Sequence, residues 1–150
     1  MAIDNLERNL TSVEIRVESH PKLLKIVRCG IQHLCHLCEF SDAGRNELIL
    51  AVDEAVANII RHSYKGADDQ PINVFCEVHE DRLQIVLQDF GEEVDKAVIK
   101  SRDLDDIRPG GLGVHLIQSV MDEVEFSYSK EDGNKLKLVK YLPGRKQEND

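Results

Sequence analysis

The sequence predicts an α+β fold, a two-layer α/β sandwich with helices on one face of a mostly antiparallel, mixed sheet. Three observations carry this expectation. The strand-like segments alternate: Ile72, Val74, Cys76 and Val78 share one face, whereas buried parallel strands read as unbroken apolar runs. The helical segments carry single apolar stripes rather than apolar residues all round. One-sided sheets and one-striped helices bury their apolar faces against each other, in two layers.

The elements follow in order. Ser12 to Glu18 alternates Val13, Ile15 and Val17 against polar residues, as a half-buried strand does. Pro21 to Phe40 reads as a helix with Pro in its first turn, where a missing N–H costs little. Its stripe is Leu24, Val27, Ile31, Leu34 and Cys38, with Cys35 beside it. Ser41 and Asp42 can cap the next helix, which presents Leu48, Val52, Ala55, Val56 and Ile59 on one face and is followed by Gly66. The Ile72–Val78 strand turns at Glu80-Asp81 into a strand from Leu83 to Asp89. From Glu92 to Pro109 the chain is highly charged and weakly patterned, with a short helix near Lys96–Lys100. A Gly-started helix runs through Val114–Met121. A last hairpin pairs Val124–Tyr128 with Leu136–Leu142 around Glu131-Asp132-Gly133-Asn134. Residues 1–150 read as one domain, with 1–10 and 144–150 as frayed polar tails. Phe75, Val86, Val139 and Tyr141 have the opposite parity to the core set. That leaves open a homodimer contact, a partner contact or scattered exposed apolar residues.

Within this frame Glu54, Asn58 and His62 recur at i, i+4 and i+8, in a stripe beside the apolar face. A carboxylate, an amide and an imidazole so arranged can place a metal ion and a proton acceptor around a polyanion; a solvated helix flank has the same spacing. Downstream, a strand ends on Asp89 with Gly91 after it, and Arg108-Pro109-Gly110-Gly111-Leu112-Gly113 opens a helix. Free N–H groups and the positive end of the helix dipole let such a start bind phosphates. Each motif alone is also an ordinary turn or cap. Their order within one domain's length is the stronger signal.

That order resembles the GHKL (Bergerat-fold) ATPases. The Glu54/Asn58 helix is similar to their N-box, Asp89-Phe-Gly91 to the first glycine box and Gly111-Leu-Gly113 to the second. The likeness is greatest to the small anti-sigma-factor serine kinases, through EAVANIIRHSY, DFGEEVD, GGLGVHLIQSVMDEVEF and LKLVKYL. It departs at Glu93, where a second glycine is usual, and at Asn134, where a threonine is usual. The resemblance implies ATP or ADP as ligand. Asn58 would hold Mg2+, Glu54 would be the base, and Asp89 would read the adenine amino group, with Gly91 leaving room. Gly110, Gly111, Leu112 and Gly113 would meet the phosphates, and Asn134 the adenine side of the site. Arg108 is either a phosphate contact or a loop charge, and His62 either a site residue or a structural hydrogen-bonder. Gly91–Gly110 would be the lid.

Composition bounds the rest. Lys and Arg total 19 against 28 Asp and Glu, a net charge of −9 with no basic block, which disfavours nucleic acid and anionic membranes. The polar N-terminus is unlike a signal peptide, and no apolar run approaches the roughly 20 residues that span a bilayer, so a cytoplasmic protein is expected. Cys35-His-Leu-Cys38 has no second Cys/His pair at zinc-finger spacing and reads as packing rather than metal binding. The expected function is an anti-sigma factor that is also a serine kinase, sequestering a sigma factor and phosphorylating a STAS-domain antagonist. Two alternatives stand beside it: a nucleotide-responsive binding module without kinase activity, and the catalytic half of a histidine kinase.

Overall fold

The computed structural model describes residues 11–94 and 111–144, with the side chains of 111–114 left aside. The chain runs β1 (Thr11–Glu18), a 3-10 turn (Pro21–Leu23), α1 (Leu24–Leu37), α2 (Asp42–Asn58) and a π turn (Ile59–Ser63). Then come β2 (Pro71–Val78), β3 (Arg82–Asp89), α3 (Gly111–Val120), β4 (Glu123–Ser129) and β5 (Gly133–Tyr141). The expected short helix near Lys96–Lys100, most of the proposed lid and the two tails lie outside the described residues, except Gly144.

The five strands lie in the order β1-β2-β3-β5-β4. Every pairing is antiparallel, a stricter form of the expected sheet. The β2–β3 and β4–β5 pairs are hairpins, so local turns fix their register. The register stacks Ile72 against Asp89 and Asp89 against Asn134, which brings three distant segments to one end of the sheet.

Burial follows the period-2 reading. Ile72, Val74, Cys76 and Val78 of β2, with Leu83, Ile85 and Leu87 of β3, enter one core with the helix stripes. Helix α2 is the middle helix and packs on both α1 and α3. Its Leu48, Val52, Ala55, Val56 and Ile59 are all buried. Each large aliphatic side chain so buried is worth about 1.5–3 kcal/mol of transfer free energy. Among the described residues no helix is long and apolar enough to cross a membrane.

Several expectations need correction. The first helix is α-helical only to Leu37, after its 3-10 start, and does not reach Phe40. Glu39 takes a left-handed φ of 61°, and the Phe40 N–H bonds back to the Cys35 carbonyl, so the helix is closed by a left-handed turn. Cys35 does not lie beside the stripe; it is 0 % exposed. The sheet lies beneath α1 and α2 beside it, so α1 buries a wider face than a single stripe. Val139, expected on the open face with Phe75, Val86 and Tyr141, is itself buried, while the other three are half-buried. Asn134 is not in the hairpin turn: β5 starts at Gly133, so Asn134 is a strand residue.

Candidate functional site

The site grows from the C-terminal end of α2. The Ser41 hydroxyl accepts from the Gly44 N–H at 3.1 Å and caps the helix start. Glu54 and Asn58 stand one turn apart and half-buried, beside the apolar face as the spacing predicted. The Oδ1 of Asn58 is buried and has no hydrogen-bond partner among the described residues. An orphaned acceptor of this kind is costly unless something else binds it.

After Asn58 the helix widens. The Tyr64 N–H reaches the Ile59 carbonyl at 3.0 Å, an i to i+5 bond, so the turn holds an extra residue. His62 lies within this wide turn and is exposed. Ser63 and Tyr64 turn inward instead, at 4 % and 8 % exposed. The Tyr64 hydroxyl donates to the Pro71 carbonyl and accepts from the Phe90 N–H at 2.8 Å, tying the π turn to the ends of β2 and β3.

Asp89 is the focus of these contacts and is 3 % exposed. Its Oδ1 accepts from the Gly91 N–H at 3.0 Å and from Asn134 Nδ2 at 3.0 Å. Its Oδ2 accepts from the Ser63 hydroxyl at 3.3 Å. Burial pushes its carboxyl above the ordinary 3.8, while the bonds from Asn134, Gly91 and Ser63 pull the other way. All three donors are neutral, and Oδ2 keeps acceptor capacity to spare.

Two glycines are fixed by this approach of chains. A Cβ on Gly91 would lie 2.3 Å from the Ser63 carbonyl oxygen, and one on Gly133 would lie 2.1 Å from that of Asp89. Both obstacles are backbone, and Gly133 also has a φ of +69°. The Glu92 N–H, in turn, donates to the Ser63 carbonyl at 3.2 Å.

The Asn134 side chain hydrogen-bonds within the protein. Nδ2 donates to Asp89 and, at 2.8 Å, to the Glu92 carbonyl; Oδ1 accepts from the Val94 N–H at 3.2 Å. Glu93, the other departure, is exposed.

The backbone of Gly111, Leu112 and Gly113 forms the first turn of α3, where N–H groups have no intrahelical acceptor. Helix α3 packs on α2, so this turn belongs to the same helix layer as Glu54 and Asn58. Arg108 and Gly110 lie outside the described residues. Among the described residues no group of three or more His, Cys, Asp or Glu side chains is arranged to hold a metal ion. A metal bound by one amide oxygen together with ligand oxygens does not need one. Magnesium binds in that way, and the orphaned Asn58 oxygen is a hard ligand of the right type.

Reading the sequence passed over Ser63, Tyr64 and Gly133. One signal was there: Ser63 follows Ile59 by four, so the apolar stripe itself runs into a hydroxyl. Tyr64 depends on the π turn, which no residue pattern announces.

Comparison with known proteins bears on the family and the fold. A family model described as a histidine kinase-like ATPase domain matches residues 17–140. The serine-protein kinase RsbW of Staphylococcus aureus (strain bovine RF122 / ET3-1) is 33 % identical over 144 residues, covering 87 % of this chain and 86 % of the relative. RsbW of strain MRSA252 matches to the same extent. Among solved structures, the RsbU and RsbW domains of Rv1364c from Mycobacterium tuberculosis superpose with a TM-score of 0.63 at 15 % identity, over 88 % of this chain and 32 % of that one. The SiaB–SiaC complex from Pseudomonas aeruginosa gives 0.61 at 16 % identity, over 87 % of this chain and 88 % of its own. At such identities these two structures speak to the fold.

Proposed function

The chain belongs to the histidine kinase-like ATPase family, among the relatives of the RsbW serine-protein kinases, and on that premise we propose that it is an ATP-dependent protein serine kinase and anti-sigma factor. The observation that carries the reading is Asp89. A buried carboxylate held by neutral donors costs stability, and this one keeps an oxygen lone pair for a ligand. Adenine offers an amino donor at C6 and guanine a carbonyl, so an acceptor-only group there selects ATP. Gly91 gives the base access to the backbone, and the N–H groups of Gly111, Leu112 and Gly113, with Gly110 and Arg108 before them, serve the phosphates.

Asn58 is the residue to hold Mg2+, which when bound neutralises phosphate charge. Glu54, one turn earlier, takes the proton of the attacking serine hydroxyl. The serine belongs to a STAS-domain antagonist, and the chain sequesters a sigma factor in alternation with it, so that nucleotide state sets which partner is held. The chain acts as a single domain in the cytoplasm.

The test is to incubate the protein with γ-labelled ATP and a STAS-domain antagonist and to locate the label by mass spectrometry. Label on an antagonist serine is expected. Label on a histidine of this chain would make it a histidine-kinase domain. ATP binding without transfer would leave a nucleotide-responsive module.

A further inference from the structure

The family reading gives Asp89 a ligand and puts Asn134 on the same side of the site, without saying what its amide does there. Asn134 is 2 % exposed and lies opposite Asp89 across the β3–β5 pairing. Its amide orientation is fixed by its partners. The Asp89 carboxylate and the Glu92 carbonyl can only accept, and the Val94 N–H can only donate, so Nδ2 must face the first two and Oδ1 the third. One side chain thereby joins Asp89 to the 92–94 segment, at 3.0, 2.8 and 3.2 Å.

We propose that Asn134 is a specificity-determining positioning residue. It holds Asp89 oriented as an acceptor for a 6-aminopurine and couples occupation of that acceptor to the 92–94 backbone. The proposal rests on the reading of Asp89 as the base-recognising group. The geometry supports it in two ways. With Oδ1 taken by Gly91 and Asn134, the carboxylate is prevented from rotating, and only Oδ2 remains to meet a ligand. At 3 % exposure for Asp89 there is little room for water to replace the Asn134 donor. A threonine at this position has one hydroxyl proton, so it can serve Asp89 or the Glu92 carbonyl but not both.

The probes are ATP and inosine triphosphate, whose purines differ at C6, amino against carbonyl, and in the proton that the second carries on N1. Calorimetry gives the affinity ratio for the wild type and for Asn134→Thr and Asn134→Val, which share a shape and differ by a hydroxyl. Asn134→Val is expected to lower the ATP preference at least tenfold, about 1.4 kcal/mol, mainly by weakening ATP; Asn134→Thr should recover most of it. Equal ratios in Thr and Val, or equal losses for both nucleotides, would mean that Asn134 is structural only, and the proposal fails. Amide exchange of the unmutated protein is a second measurement that needs no variant. ATP should protect the Val94 N–H more than inosine triphosphate does, and equal protection overturns the coupling. Asp89→Asn separates the two levels of the argument. It should abolish or invert the preference, and a wild-type ratio there would overturn the reading of Asp89 itself and the proposal with it.

Discussion

Burying a carboxylate among neutral donors costs folding free energy, and Asp89 makes that cost measurable. Its folded pKa is raised above 3.8 by burial, so the native state keeps a proton that the unfolded chain has already lost. The stability contribution is therefore full below about pH 4 and is lost as pH rises through the raised folded value. Asp89→Asn escapes this. Its Oδ1 still accepts from Gly91 and Asn134, and its Nδ2 can donate to a rotated Ser63 hydroxyl. Thermal melts of both proteins from pH 4 to 7.5 should show the variant gaining on the parent as pH rises. The opposite trend would contradict the burial argument. ATP affinity should meanwhile fall by about 1.5–3 kcal/mol, the worth of a charged hydrogen bond. Gly133→Ala belongs to the same scale. Its Cβ meets the Asp89 carbonyl oxygen at a φ of +69°, so denaturant unfolding should show a loss of about 1–3 kcal/mol.

At the scale of the element, α2 and its π turn organise the site. Asn58 leaves a buried oxygen unpartnered among the described residues, so Asn58→Ala should not destabilise the ligand-free protein and is expected to raise its melting temperature slightly. Its ATP affinity should match the parent's without Mg2+ and fall below it with Mg2+; a loss of the same size in both conditions would remove Asn58 from the metal's ligands. This element also shows where sequence reading stops. Periodicity placed Glu54 and Asn58 because an α-helix repeats every 3.6 residues over its whole length. It does not announce the wide turn that follows, because nothing in Ile59-Ile-Arg-His-Ser63 marks it. Asn134 was put in a turn because Asp-Gly-Asn is strong turn chemistry, yet the antiparallel register claims it for β5. Its clamp depends on a partner 45 positions away in sequence, which local patterns do not encode.

For the whole molecule, the architecture was legible because alternation and single stripes leave few ways to bury apolar faces. The bottom of the core holds a further test. Cys35, Cys38 and Cys76 are buried and Cys29 is exposed. Burial pushes the three inner thiols up to about 12, 11 and 12 from 9.0. Native protein should therefore react with a thiol reagent at Cys29 and release the other three only on unfolding. Because these folded values are raised, their contribution is intact below about pH 9 and declines above it. Fast labelling of all four thiols in the native protein would mean that the α1–sheet layer is not packed as described.

The central claim, that this fold transfers the γ-phosphate of ATP to a protein serine with Glu54 as base, is tested most directly by one comparison. Single-turnover transfer from saturating Mg-ATP to a STAS-domain antagonist is timed for the parent and for Glu54→Gln. The substitution keeps the side chain's shape and its place beside Asn58. The account predicts that antagonist serine is labelled and that the rate falls about a hundred- to ten-thousand-fold in the variant, with ATP affinity and melting temperature unchanged. Transfer at the parent's rate by Glu54→Gln would contradict the assignment of the base, and an unlabelled antagonist with the parent would contradict the kinase itself.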